Sequence, residues 1–428
     1  MDIKAVILAA GKGTRMKSET TPKVLHQIMG KELLGYVLDN VKDITNEQYV
    51  IVGHHAQEVE KYLQKNYETA KTVLQSPQLG TGHAVSMVCP YLENYDGLVL
   101  ILCGDTPLIK AQTLKEFIDF HKSTNSDISV MSTMFDNPTG YGRIIRTSDN
   151  QVEKIVEEKD ATPEQKAVKE VNAGIYCLDW AKVKNSFSQL KSNNAQGEYY
   201  LVDIISWGRE NNLNVNAYVL DDSDEIYGIN SRQNLAQAAK ILNHRKLDEL
   251  MTSGVTIVDP DSTWISEDTT IGQDTIVYPS TYIEGKNKIG KNCKIGPMAH
   301  LRGGVEICDN IKVGNFVEVK KSKINSNTNV GHLSYIGDSE LGQRVNIGAG
   351  TITANYDPIS KTKSKTVLKD DVKIGSNSVL VAPVTVEQGA NVGAGSVITK
   401  TIPQWALALT RAPLKVLENW VTRKLQNK

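Results

Sequence analysis

Residues 265–318 read ISEDTT IGQDTI VYPSTY IEGKNK IGKNCK IGPMAH LRGGVE ICDNIK VGNFVE, and every block of six opens on an aliphatic residue. The openers are Ile265, Ile271, Val277, Ile283, Ile289, Ile295, Leu301, Ile307 and Val313, and Val319 continues the run. After a one-residue slip the period resumes at Ile324, Val330 and Ile336, then slips again to Leu341 and Ile347. It closes with Leu368, Ile374, Leu380, Val386, Val392 and Ile398. Glycine often follows the aliphatic residue, as in Ile271-Gly272, Ile295-Gly296, Val313-Gly314, Ile347-Gly348 and Ile374-Gly375. A period of six matches neither the helical repeat of about 3.6 nor the strand repeat of about 2. It is the period of a hexapeptide parallel β-helix, in which each repeat forms one flat side of a coil. The aliphatic residue points inward and stacks on its equivalent one coil away.

The remainder of the 428 residues leaves room for at least one more domain. The net charge of -1 supplies no basic field for nucleic acid. Five cysteines, Cys89, Cys103, Cys177, Cys293 and Cys308, are scattered and lack metal spacing, which suits a reduced cytoplasmic protein without a disulfide frame. The apolar run Ala5 to Ala10 is too short for a signal peptide or a membrane span.

Residues 1–228 alternate aliphatic strands with amphipathic stretches. Strands are predicted at Ala5–Ala9, Tyr49–Gly53, Gly97–Cys103, Ile128–Met134 and Gly174–Leu178, and helices at Leu33–Val41, Gln57–Lys65 and Thr113–Lys122. That alternation predicts a Rossmann-like α/β domain with a mainly parallel sheet. Residues 229–252 are read as a connecting helix, with Leu235, Ala239, Leu242 and Leu250 among polar residues, and 253–428 as the β-helix domain. Leu414–Leu425 is expected to form a closing helix, with Trp420 on its apolar face, that caps the last coil.

Two sets of residues carry chemistry. In the first, the opening strand runs into Leu8-Ala9-Ala10-Gly11-Lys12-Gly13-Thr14-Arg15-Met16. A Gly-rich turn at a strand's carboxyl end lets backbone N–H groups approach phosphates. It is neither a P-loop nor a full dinucleotide fingerprint, and alone it reads equally well as an ordinary turn. Lys12, Arg15 and Lys23 add the charge that suits a triphosphate. Asp105, in Leu102-Cys103-Gly104-Asp105-Thr106-Pro107, is placed to hold Mg²⁺, or to form a strand-end turn. The segment from Gln75 to His83 offers amide and Gly groups that could read a nucleobase edge, with His83 read as a helix-start residue.

The second set lies in the repeats. Lys320 and Arg302 lie within one and two coils before His332 at about 18 residues per coil. Between Ala354 and Val367 the hexad breaks into a polar stretch, Asn355-Tyr356-Asp357-Pro358-Ile359-Ser360-Lys361, predicted to project as a loop. Arg302, Lys320 and Lys361 could bind a sugar phosphate, with His332 as general base because imidazole titrates near neutral pH. A lone histidine on such a coil is otherwise a surface residue, and a β-helix can be purely structural.

Taken in order, Leu8 to Met16, Pro22-Lys23-Val24-Leu25, Gln78 to Ala84 and Gly104-Asp105-Thr106-Pro107-Leu108 resemble the sugar-1-phosphate nucleotidyltransferases. Together with the repeats, nearly the whole chain is similar to the bacterial bifunctional N-acetylglucosamine-1-phosphate uridyltransferase/glucosamine-1-phosphate acetyltransferase family. Thr139 to Arg143, Glu157 to Ala161, Asn172 to Gly174, Asn194 to Tyr200 and Gly228 to Asn230 match that family too. So do Asn315 to Lys321, Gly331 to Tyr335 and Asn346 to Thr351.

The resemblance implies UMP transfer from UTP to N-acetylglucosamine 1-phosphate with release of pyrophosphate, after acetylation of glucosamine 1-phosphate by acetyl-CoA. By the same resemblance Asp105 and Asn230 hold Mg²⁺, and Arg15 and Lys23 neutralise the triphosphate. Leu8, Ala9, Ala10, Gly11, Gln75, Gly80 and Thr81 bind uridine, and Gly142, Glu157 and Asn172 the acetylated sugar. His332 is the acetyl-transfer base. Arg302, Lys320, Tyr335, Asn346, Asn355 and Lys361 form the glucosamine 1-phosphate pocket, Ala349, Ser376, Ala394 and Arg411 meet acetyl-CoA, and Tyr356 is a further binding residue of the domain. The family also implies a left-handed β-helix and a homotrimer whose acetyl sites borrow residues from neighbours. Its substrates are small molecules, with no nucleic acid and no membrane insertion. The alternative keeps only the nucleotidyltransferase and makes the β-helix a structural or regulatory trimerisation module.

Departures from the family pattern are a β-helix shorter by roughly one and a half coils before Arg302, Gly303 for a common Pro, Ala354 for a common Cys, and a loop about two residues longer.

Overall fold

The structure, a computed structural model, describes residues 2–410 and 412–426. The chain divides into two compact units, 1–242 and 243–428.

The first unit is built on one sheet. Its strand order is Val215–Leu220, Ile128–Met134, Glu170–Asp179, Leu98–Cys103, Ile3–Leu8, Gln48–Val52 and Lys71–Leu74. Ile3–Leu8 pairs in parallel with both Leu98–Cys103 and Gln48–Val52, while Glu170–Asp179 runs antiparallel to its two neighbours. Leu100, Ile101, Ile7 and Val6 are all fully buried, so these strands read as unbroken aliphatic runs, as strands covered on both faces must. The predicted helices appear at Leu33–Lys42, Ala56–Asn66 and Ala111–Ser123. Four strands of this sheet escaped prediction: Lys71–Leu74, Arg143–Arg146, Val152–Val156 and Val215–Leu220. Asn230 stands next to the helix Arg232–Thr252, whose Leu235, Ala238 and Leu242 pack with Ile28, Leu33 and Tyr36.

The second unit is a parallel β-helix with three flat faces. The first face carries nine strands from Thr256–Ile257 to Leu407–Ala408, the second eight from Trp264–Ile265 to Val397–Ile398, and the third seven from Thr270–Ile271 to Val384–Val386. All the aliphatic openers of the sequence repeat are buried, Ile271 the most exposed at 8%. They stack one coil apart, as in Val277↔Ile295↔Val313. The two slips are coils one residue shorter, Ile307↔Ile324 and Ile324↔Leu341. Thr353 also points into the core at 1% exposure, where the repeat shows no aliphatic residue. Its hydroxyl accepts the Gly337 N–H at 2.8 Å, so the buried polar group is satisfied.

The C-terminal segment corrects an expectation. The helix begins at Trp420 and runs to Gln426, and none of its residues is buried. Leu414 is 91% and Trp420 53% exposed, so in a single chain this segment does not cap the coil. Among the described residues no helix is long and apolar enough to cross a membrane.

Candidate active sites and their relatives

Parallel register sets Leu8 opposite Cys103, so the Gly-rich turn and Asp105 leave neighbouring strands at the same carboxyl edge. Gly13 sits at φ +61, and a Cβ there would stand 2.7 Å from the Lys23 Cβ. Glycine thus lets the Lys23 segment close on the turn. Lys23 Nζ ion-pairs with Asp105 Oδ2 and donates to Asn230 Oδ1 at 3.2 Å. Arg15 Nη2 donates to the same Asn230 oxygen at 2.9 Å. Asn230 is brought in by the Ile229 N–H, which donates to the Asp105 carbonyl at 2.9 Å. The Lys23 and Asp105 side chains are 15% and 17% exposed, so the pair is largely withdrawn from water.

Leu8, Ala9, Ala10, Gly11, Lys23, Gln75, Gly80, Thr81 and Asp105 all line one cavity of about 450 Å³. Lys12, Gln78, Cys103 and Glu198 line it as well. Gln75 spends both amide protons internally, on the Gly80 carbonyl at 3.0 Å and on His83 Nδ1 at 3.1 Å, leaving its oxygen for a ligand. The Cys103 thiol is pushed up to about 12 by burial and then by Asp105, which removes it as a nucleophile. Asp105 and Asn230 offer one carboxylate and one amide oxygen that converge on a single cation, here the Lys23 ammonium. Among the described residues no cluster of three or more His, Cys, Asp or Glu is arranged to hold a metal. A carboxylate and an amide oxygen suit a hard cation that also carries phosphate oxygens and water.

Gly142, Glu157 and Asn172 come together beside this edge. A Cβ on Gly142 would stand 3.5 Å from Glu157 Oε1 and 3.6 Å from the Asn172 Cβ. Burial, then Asp160 and Asp203, raise the Glu157 carboxyl above its ordinary range.

In the β-helix, Arg302 pairs in register with Lys320, and Lys320 with Gly337. Tyr335 lies on the same face opposite Glu318. Arg302 is held by Glu318 at 2.9 Å and Glu284 at 3.4 Å. Asn355 donates to Asp338, whose N–H bonds the Lys320 carbonyl at 3.0 Å. Asn346 lies on the first face, opposite Asn329. The projecting loop is a hairpin, Tyr356–Asp357 with Thr362–Lys363, and Ile359 at its tip is 93% exposed. Lys361 sits in the turn at φ +55. Lys363 stands opposite Tyr356 in the hairpin, and the charges of Arg302 and then Lys363 lower the Lys320 ammonium.

His332 faces solvent at the corner between the first and second faces, opposite Asn315 in register. Its Nδ1 meets Asn315 Oδ1 at 2.7 Å. With that acceptor Nδ1 carries the proton, and the Nε2 lone pair is left outward. Asn315, His332, Ala349, Ser376 and Ala394 each stand two residues past a stacked aliphatic residue, in Val313↔Val330↔Ile347↔Ile374↔Val392. They therefore form one column along the corner, about 14 Å from His332 to Ala394 at ~4.8 Å per coil. Arg411 lies outside the described residues. Gly303 donates its N–H to the Glu284 carbonyl at 2.8 Å and sits at φ +49, both closed to proline.

Two family models match. "Nucleotidyl transferase" covers residues 4–243, and "Bacterial transferase hexapeptide (six repeats)" covers 288–321 and 365–400. "Bifunctional protein GlmU" of Alkaliphilus metalliredigens is 42% identical over 458 positions, covering 99% of each chain. That of a Geobacillus species is 43% identical over 453 positions, covering 98% of this chain and 97% of its own. That of Clostridioides difficile is 42% identical over 460 positions, covering 100% and 99%. The chain belongs to the GlmU family. It is a transferase with a nucleotidyltransferase domain followed by a hexapeptide-repeat domain. Alignment over 458 positions against 428 residues leaves at least 30 positions of the Alkaliphilus GlmU without a counterpart here.

Proposed function

We propose that this chain acetylates glucosamine 1-phosphate with acetyl-CoA at the β-helix corner and transfers UMP from UTP to N-acetylglucosamine 1-phosphate at the Gly-loop cavity. The convergence of Lys23, Arg15, Asp105 and Asn230 at the loop carries the second half. Gln75 accepts the imide N–H of uracil with its free amide oxygen. Arg15 and Lys23 hold the triphosphate so that the sugar phosphate oxygen approaches the α-phosphorus opposite the departing pyrophosphate. Asp105 and Asn230 hold Mg²⁺, which when bound neutralises charge developing on the phosphate oxygens. Gly142, Glu157 and Asn172 seat the acetylated sugar.

At the corner, Lys320, Lys363 and Arg302 hold the phosphate of glucosamine 1-phosphate, with Tyr335, Asn346, Asn355 and Tyr356 around the sugar. His332 Nε2 takes a proton from the amine as nitrogen attacks the thioester carbonyl, and coenzyme A leaves as its thiol. The column Ala349, Ser376 and Ala394 gives the extended cofactor arm a track. Three copies, side by side in the cytoplasm, complete the acetyl sites; the exposed apolar residues of the C-terminal segment favour such packing.

Truncation tests the division of labour. A chain ending at Thr252 should keep uridyl transfer and lose acetyl transfer. A folded truncation that lacks both would overturn the assignment of one reaction to each unit.

A further inference from the structure

The strand Glu170–Asp179 changes register beside Ile128–Met134. Asn172 pairs with Ser132 and Tyr176 with Val130, so three residues, 173–175, face Met131 alone. Such bulges re-aim side chains next to active sites. Gly174 makes the bend at φ +73, close against Cys103. One side chain pins it. Asn172 Oδ1 accepts the Gly174 N–H at 2.9 Å, and Asn172 Nδ2 donates to the Tyr176 hydroxyl at 2.9 Å. Tyr176 is 1% exposed and packed in the core, so its hydroxyl is a fixed point. Burial, then the Glu157 carboxylate, keep that phenol protonated. Asn172 is left with one N–H and one lone pair beside Gly142 and Glu157. A secondary amide on a ligand offers the complementary carbonyl and N–H.

Resting on the reading of Gly142, Glu157 and Asn172 as the sugar site, we infer that Tyr176 is a positioning residue. Its hydroxyl sets the Asn172 amide, and through it the preference for an acceptor sugar phosphate bearing a 2-acetamido group over one bearing a 2-hydroxyl. No role for Tyr176 follows from the motif matches, because the one over Asn172-Ala173-Gly174 stops two residues short of it.

The test is Tyr176→Phe in the full chain, assayed for uridyl transfer to N-acetylglucosamine 1-phosphate and to glucose 1-phosphate. Loss of one hydrogen bond should raise KM for the acetamido sugar about 3- to 10-fold. KM for UTP should not move, and the kcat/KM ratio between the two sugars should shrink. Because Tyr176 acts through Asn172, adding Tyr176→Phe to Asn172→Ala should change nothing further. If Asn172→Ala leaves the acceptor KM at wild type, the sugar-site reading itself fails. If Asn172→Ala raises it but Tyr176→Phe does not, or Tyr176→Phe adds its full factor on top, the positioning role alone fails. A Tyr176→Phe chain that loses UTP binding together with acceptor binding, or does not fold, assigns the hydroxyl to the core and also overturns the role.

Discussion

Replacing Asn315 with Ala removes the acceptor that holds the His332 Nδ1 proton at 2.7 Å. Both residues sit on adjacent strands in fixed register, so backbone geometry survives the change. What is lost is one hydrogen bond that selects the ring tautomer and orientation. A neutral bond of this kind is worth about 1 kcal/mol net, which corresponds to roughly a fivefold loss of rate. His332→Ala removes the base itself, and should cost roughly 10²–10⁴-fold. Asn315→Asp keeps an acceptor opposite Nδ1 and should retain more activity than Asn315→Ala. The assay follows coenzyme A thiol release with glucosamine 1-phosphate, and uridyl transfer on the same preparation as an internal control. Wild-type acetylation by His332→Ala would refute the base, and an Asn315→Ala loss as deep as His332→Ala would show that Asn315 does more than orient the ring.

Three further outcomes follow from the geometry. Asp105→Asn should lower uridyl transfer by roughly 10²-fold or more, since it removes both the charge partner of Lys23 and the proposed metal carboxylate, and should leave acetyl transfer intact; an unchanged Mg²⁺ dependence would place the metal elsewhere. Lys363→Ala should raise KM for glucosamine 1-phosphate about tenfold or more, whereas Lys361→Ala at the hairpin turn should stay within about twofold of wild type; the reverse order would restore Lys361. The buried His121 imidazole is pushed down to about 4 by burial, against about 6.5 when unfolded. The unfolded chain therefore binds the extra proton first, so stability is full above about pH 6.5 and falls toward pH 4, by about 3 kcal/mol. Denaturant melts of the 1–252 truncation at pH 7 and pH 5 check the slope, and equal midpoints in wild type and His121→Gln at both pH values would contradict it.

The β-helix was legible because its inward position tolerates little but an aliphatic side chain, and the period survives two shortened coils. Thr353 hid inside it because a hydroxyl that bonds the Gly337 N–H can occupy the same core position. Glu170–Asp179 was read only from Gly174 onward, because its bulge breaks the alternation that marks a strand. Leu414, Leu417, Val421 and Leu425 have helical spacing yet stay exposed, since spacing does not say whether this chain supplies a surface to cover them. Asp105, just past a strand end, and Lys23, in the short 3-10 turn Lys23–Leu25, stood out through motif order, and the fold pairs their side chains. Lys363 and Asn315 were not assigned roles, because theirs come from register across a hairpin and between coils, which adjacent residue types do not encode.

The central claim is that one chain carries both reactions at separate sites. A single incubation of the full chain with glucosamine 1-phosphate, acetyl-CoA, UTP and Mg²⁺ tests it most directly, with products separated by mass. The account predicts UDP-N-acetylglucosamine, with acetylated sugar phosphate accumulating in Asp105→Asn and unreacted glucosamine 1-phosphate in His332→Ala. Formation of UDP-N-acetylglucosamine only when N-acetylglucosamine 1-phosphate is supplied would contradict it and leave the β-helix a structural module.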